Sequence, residues 1–233
     1  MTTHLLPMGG GGYYGPKGGP SRLMLYFLKL TRKKHPKVCL IPTATGDKPE
    51  TIHQFMHCFN HFGAHPNYLS LFSLPTNDLE DWLMDFDAVY VSGGNTKTML
   101  GAWREWKLDT LLVRAWKRGI VMSGGSAGAN CWYENNLTDS YASGFDALPG
   151  MGVVPGSCCP HYADEKGWRP AYLDMVKRGK LKNGFGMSNR AAIHYVNGAF
   201  HEALVEFEEA GVYRVERTGK RGVTETKLEA RMV

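Results

Sequence analysis

The stretch Val121-Met122-Ser123-Gly124-Gly125-Ser126-Ala127-Gly128-Ala129-Asn130 joins an apolar run to a run of small residues through a serine set between glycines. It reads as a buried strand turning sharply into a helix, because the strained backbone of such a turn leaves no room for Cβ atoms beside the serine. Ser126 is then a candidate nucleophile at the carboxyl end of an inner strand. The plainer reading is a serine that caps a helix N-terminus.

Working outward, short apolar runs alternate with longer amphipathic ones. His4 to Met8 reads as a strand, Leu23 to Leu30 as a helix, Val38 to Pro42 as a strand, Ile52 to Phe62 as a helix and Asn67 to Leu71 as a strand. A short helix over Asp78 to Met84 follows, then the strand Ala88 to Val91, helices over Thr96 to Trp106 and Leu111 to Arg118, and the strand Ile120 to Met122. These strands are apolar on both faces, which predicts an α/β fold with a doubly wound, mostly parallel sheet flanked by helices. Ligands of such sheets sit at the carboxyl ends of the strands, where Gly93-Gly94 and Gly124-Gly125 should converge. Toward the C-terminus, Ala191 to Val196, Glu202 to Glu206 and Gly211 to Val215 alternate like antiparallel strands and are expected to extend the sheet edge.

The 233 residues carry no Pro/Ser-rich or charged linker, which predicts one domain over 1–233. With 43% hydrophobic and 21% charged residues, the composition is that of a chain with a sizeable core. The net charge of +5 is scattered apart from Arg32-Lys33-Lys34 and the run Lys177 to Lys182, so no nucleic-acid partner is expected. No apolar segment approaches the roughly 20 residues needed to span a bilayer, so no membrane partner is expected either. Five cysteines, Cys39, Cys58, Cys131, Cys158 and Cys159, lack CxxC spacing, and the chain opens without a secretory pattern; a reducing cytoplasm is the expected location.

A serine nucleophile needs a base, and nine histidines compete for the role. His53, His57, His61 and His65 recur every four residues as a solvated stripe, with no cysteine or carboxylate spacing that would mark a metal site. His194 lies inside a strand pattern. His161 follows Cys158-Cys159-Pro160, read as a rigid turn, and lies downstream of Ser126. For the carboxylate that orients the imidazole, Asp139 gives the order Ser, Asp, His, and Glu134 and Asp146 are rivals that the residues themselves do not separate from it. For an oxyanion, the amide of Ala127 is one donor, and the turn Ser92-Gly93-Gly94-Asn95-Thr96 supplies a second. Gly9-Gly10-Gly11-Gly12 has neither Rossmann nor Walker spacing and reads as close backbone packing beside the crevice.

Together these motifs resemble the peptidase E family, cytoplasmic serine peptidases of the S51 group related in fold to class I glutamine amidotransferases and cyanophycinase. The resemblance is carried by Met8-Gly9-Gly10-Gly11-Gly12, Ile41-Pro42-Thr43-Ala44, Ser92-Gly93-Gly94-Asn95-Thr96, Gly125-Ser126-Ala127-Gly128-Ala129-Asn130, Gly144-Phe145-Asp146-Ala147-Leu148 and Pro160-His161-Tyr162. It implies a serine dipeptidase that removes an N-terminal aspartyl residue from short peptides, without a cofactor and as a monomer or homodimer. Ser126 is the implied nucleophile and His161 the implied base; Asp139 is the implied third member, and in some members a later Glu takes that place. Gly94 and Ala127 form the implied oxyanion hole. Asn95 and Arg169 are the implied substrate-binding residues, Arg169 reading the aspartyl side chain, with Arg190 as an alternative. The stretch Ala163 to Trp168 departs from the aspartyl-specific pattern. Other readings are an S51-like hydrolase of another peptide or of a cyanophycin-like amide, and a non-catalytic binding protein of the same fold.

Overall fold

The computed structural model of the protein describes residues 2–16, 18–219 and 222–233. The first half runs β1 (His4–Met8), α1 (Arg22–Leu30), β2 (Lys37–Ile41), α2 (Pro49–His61), β3 (His65–Tyr68), α3 (Leu79–Met84), β4 (Ala88–Val91), α4 (Thr96–Trp106), α5 (Leu108–Lys117) and β5 (Val121–Gly125). The second half runs α6 (Ala127–Asn130), β6 (Tyr133–Tyr141), β7 (Gly144–Pro149), β8 (Val154–Cys159), α7 (Trp168–Lys177), β9 (Gly184–Met187), β10 (Ala191–Val196), β11 (Ala199–Val205), β12 (Val212–Thr218), β13 (Gly222–Lys227) and β14 (Ala230–Met232).

Eight strands form one sheet in the order β14-β11-β10-β1-β5-β4-β2-β3. From β1 to β3 all neighbours are parallel. Period-two alternation along these strands sends successive side chains to opposite faces. Leu6, Val38, Leu40, Ala88, Tyr90 and Val121 pack on one face with Phe27 of α1 and Phe55 and Phe59 of α2. Leu5, Cys39, Ile41, Val89, Val91 and Met122 pack on the other with Trp103 of α4 and Leu112 of α5. Both faces are thus covered by helices, as the doubly wound reading requires, and each large side chain so buried contributes about 2 kcal/mol. β3 lies slightly earlier than its sequence pattern suggests, because the parallel register pairs Lys37 to Leu40 with His65 to Tyr68 and sends Leu69 and Leu71 into the core.

The C-terminal half departs from expectation. β10, β11 and β14 do extend the first sheet beyond β1, but β12 belongs to a second sheet ordered β13-β12-β9-β8-β6-β7. Val212 enters the core cluster shared with the first sheet and Val215 a separate cluster under α7, so both faces of β12 are covered. The segments β6 to β9 are rich in Gly, Asn, Ser and Cys and carry no clean alternation, which hides them from a periodicity reading. Cys158 and Cys159 close β8, so the turn begins only at Pro160. No helix among the described residues is long and apolar enough to cross a membrane.

At the opposite end of β1 from its glycines, buried His194 of β10 is hydrogen-bonded on both ring nitrogens, to His4 Nδ1 at 3.0 Å and Tyr26 Oη at 2.9 Å. Tyr26 donates in turn to Glu202, which Arg231 grips with two hydrogen bonds of 2.8 and 3.0 Å. Burial, followed by the neighbouring His4 and His201, lowers the pKa of His194 to about 4. The ring is neutral in the fold and gains a proton on unfolding, so its contribution is complete above pH 6.5 and is lost as pH falls from 6.5 toward 4. The thermal midpoint should therefore drop between pH 7 and pH 4.5, and His194→Gln should flatten that slope. Parallel slopes for the two proteins would exclude His194 as its source.

Candidate active site

β1, β5 and β4 are adjacent and parallel, so their carboxyl ends lie side by side. At the end of β5 the chain turns through Ser126 at φ 56° and ψ −115°, a backbone conformation costly for a residue with a Cβ. Tertiary contacts hold it there. The Ser126 N–H donates to Met8 O at 3.2 Å, and the Ser126 carbonyl accepts from Ala129 and Asn130 at 2.9 Å each, starting α6. A Cβ at Gly128 would lie 2.2 Å from Val91 O, so only glycine lets α6 approach β4 this closely. Ala127 is the first residue of α6, where a helix N–H lacks an intrahelical acceptor.

His161 enters from β8 across Pro160, with φ 53° and its own N–H on Gly9 O at 3.2 Å. Its Nε2 lies 2.9 Å from Ser126 Oγ. Its Nδ1 lies 2.8 Å from Asn189 Oδ1 and 3.3 Å from Glu165 Oε1. The indole of Trp168 meets the imidazole edge-on at 5.3 Å between centroids, and its Nε1–H donates to Glu165 Oε2 at 3.1 Å. Gly10, at φ 142°, passes so close that a Cβ would stand 2.3 Å from Asn189 Oδ1 and 2.7 Å from His161 Cε1.

These side chains open onto a cavity of about 400 Å³ lined by Gly94, Asn95, Ser126, Asp139, Ser140, His161, Glu165 and Trp168. Six of the seven site residues named from sequence lie in or beside this cavity. Ser126 and His161 are brought together, and Ala127 follows Ser126 directly. Gly94 and Asn95 line the same cavity, where Asn95 also caps α4 by accepting from Thr98 N–H at 2.8 Å. Asp139 of β6 lines the cavity but makes no hydrogen bond to His161 among the described residues, because Nδ1 faces Asn189 and Glu165 instead. Its rivals are engaged elsewhere: Glu134 binds Lys182 at 2.7 Å and Asp146 accepts from Ala147 N–H.

Arg169 lies outside the lining and is forked onto Glu225, with Nε to Oε2 at 2.9 Å and Nη2 to Oε1 at 2.5 Å; Tyr162 donates to the same carboxylate. Arg190 pairs with Glu206 at 3.3 Å. The two pairs differ in strength. Arg169 is half exposed while Glu225 is 17% exposed, so water screens this pair more than the second. Glu206 is buried at 1% exposure, and breaking a buried pair costs about 3–5 kcal/mol, which fixes Arg190 in place. Sequence reasoning missed Glu165, Asn189 and Trp168. The spacing of four between His161 and Glu165 was a faint signal of the first; nothing local marks Asn189.

Among the described residues, His194, His201 and Glu202 are the one group close enough to share a metal ion, with donor atoms within 4.8 Å. The donor atoms of His194 and Glu202 are already committed to His4, Tyr26 and Arg231, and none of the three residues lines this cavity. The His53, His57, His61 and His65 stripe is exposed on α2 and the start of β3.

Residues 5–203 match the family model for peptidase family S51. The chain belongs to peptidase family S51. A curated relative, the uncharacterized peptidase YgaJ of Bacillus subtilis (strain 168), is 40% identical over 213 residues, 91% of each chain. A probable alpha-aspartyl dipeptidase of Drosophila melanogaster is 34% identical over 93 residues, 37% of this chain and 38% of its own. Two solved structures share the fold of this S51 peptidase at 18% identity. One is a peptidase from an acI-B1 actinobacterium, with TM-score 0.73 over 99% of this chain and 95% of its own. The other is a putative peptidase E protein from Listeria monocytogenes EGD-e, with TM-score 0.62 over 98% and 100%.

The packing at Gly10 carries a test. Gly10→Ala should push His161 and Asn189 apart by the width of a methyl group and lower kcat by about 100-fold, since a 1 Å misplacement of a reacting group costs that much. An unchanged circular dichroism spectrum with unchanged kcat would rule out this packing as the support of His161.

Proposed function

We propose that this S51 peptidase is a cytoplasmic serine exopeptidase that hydrolyses short peptides through an acyl-enzyme on Ser126. The observation that carries the reading is the 2.9 Å contact of Ser126 Oγ with His161 Nε2 on a strained strand-to-helix turn. His161 Nε2 takes the Ser126 proton as Oγ attacks the scissile carbonyl; the amides of Ala127 and Gly94 receive the developing oxyanion. The Nε2 proton then passes to the leaving amine, and water, activated by the same nitrogen, hydrolyses the ester. No step calls on a cofactor. The five cysteines are all unpaired, which fits a reducing compartment.

For the substrate we infer dipeptides with N-terminal Asp, supported by the name of the Drosophila relative and by Arg169, a half-exposed cation. Arg169 would leave Glu225 for the aspartyl side chain. A second reading, short peptides with a different first residue, is favoured by the two carboxylates that line the cavity, Asp139 and Glu165.

Ser126→Ala should lower peptide hydrolysis by about 10⁴-fold or more while leaving the fold intact; turnover within tenfold of the parent protein would refute the acyl-enzyme. A dipeptide panel separates the substrates. If Arg169 reads the aspartyl group, Arg169→Ala raises KM for Asp-Leu by at least about tenfold and leaves Ala-Leu unchanged, the loss expected for one charge-assisted contact. Retained Asp preference in that variant would remove Arg169 from the role.

A further inference from the structure

His161 presents one nitrogen to two acceptors of different charge. Its Nε2 must be unprotonated to receive the Ser126 proton, so its Nδ1 carries hydrogen, and both Asn189 Oδ1 at 2.8 Å and Glu165 Oε1 at 3.3 Å are placed to accept it. The two are held differently. Asn189 is fixed from both sides: its N–H donates to Asp164 Oδ2 at 2.6 Å, and the next amide, Arg190 N–H, donates to Gly10 O at 3.1 Å. Glu165 is 52% exposed and hangs on the indole N–H of Trp168.

We propose that the orienting task usually given to one carboxylate is divided here between two positioning residues. Asn189 fixes the ring and its tautomer; Glu165 offsets the positive charge that the ring carries while it holds the serine proton. The division follows from chemistry. An amide oxygen carries only a partial charge, so it selects the Nδ1–H tautomer but steadies the imidazolium less than a carboxylate does. A half-exposed carboxylate at 3.3 Å is screened and mobile, so it supplies charge without fixing the ring. Trp168 serves both, since its ring abuts the imidazole and its N–H anchors the carboxylate. The other charges facing His161 leave Glu165 this part. Asp164 on the same turn is engaged by the Asn189 N–H, Asp139 lines the cavity with no hydrogen bond to His161 among the described residues, and Arg190 behind the Gly10–Gly11 backbone is paired with Glu206.

This inference rests on reading His161 as the base, and its first test needs no substrate. Nitrogen-15 NMR of histidine-labelled protein reports the tautomer of His161 in the resting state. The neutral ring should be the Nδ1–H tautomer; Asn189→Ala should populate the Nε2–H form, whereas Glu165→Gln should keep the tautomer. On the best dipeptide of the panel, Glu165→Gln should lower kcat by about tenfold at unchanged KM, and Asn189→Asp in that background should restore most of it. An unchanged tautomer in Asn189→Ala, or an unchanged kcat in Glu165→Gln, overturns the division. Full hydrolysis by Ser126→Ala would instead overturn the acyl-enzyme while leaving these spectra as they are.

Discussion

The site depends on one backbone constraint, the forced turn at Ser126. A residue with a Cβ sits at φ 56° only because its surroundings over-determine it: the hydrogen bond to Met8 O, the start of α6 on its carbonyl, and the approach of Gly128 to Val91 O. The first comes from β1, the second from α6 itself and the third from the packing of α6 on β4. The sheet's register therefore sets the direction of Oγ, and the local sequence only permits it.

The second sheet completes what the first begins. β8 and β9 are parallel neighbours, with Cys159 opposite Gly186, so the loops that leave their carboxyl ends lie together. His161 comes two residues after Cys159 and Asn189 three after Gly186, which brings their side chains into hydrogen-bond contact. Asp139 lines the same cavity from β6, which pairs with β8 on the edge away from β9, and makes no hydrogen bond to His161 among the described residues.

Electrostatics sorts the arginines by burial. Arg190 is tied to a buried carboxylate that also accepts the Leu23 N–H at 2.8 Å, so the pair fastens α1 to the loop carrying Asn189. Arg169 is tied nearer the surface, with half of its side chain exposed. Of two side chains of one type, the nearest match in sequence to a reader of an acidic substrate and its alternative, the structure ties Arg190 to a buried carboxylate and leaves Arg169 the more exposed.

What the sequence alone determined is the part written in local chemistry. Two-sided apolar runs dictate a helix-covered parallel sheet, and the glycines around Ser126 dictate a tight turn at a strand end; both follow from period-two alternation and from steric limits that act over a few residues. The order and type of the elements in the first half, from β1 to β5, were legible for that reason, with bounds such as those of α2, β3 and α5 off by up to three residues, and so was the serine turn that the structure sets 2.9 Å from His161. The second sheet was not, because strands rich in Gly, Asn, Ser and Cys gain their stability from neighbours rather than from a pattern of their own. Only tertiary structure decided which groups face His161 Nδ1 and which carboxylate holds each arginine. Those choices depend on the pairing of β8 with β9 and on where β13 lays Glu225 beside α7, long-range contacts between segments whose local sequences carry no trace of each other.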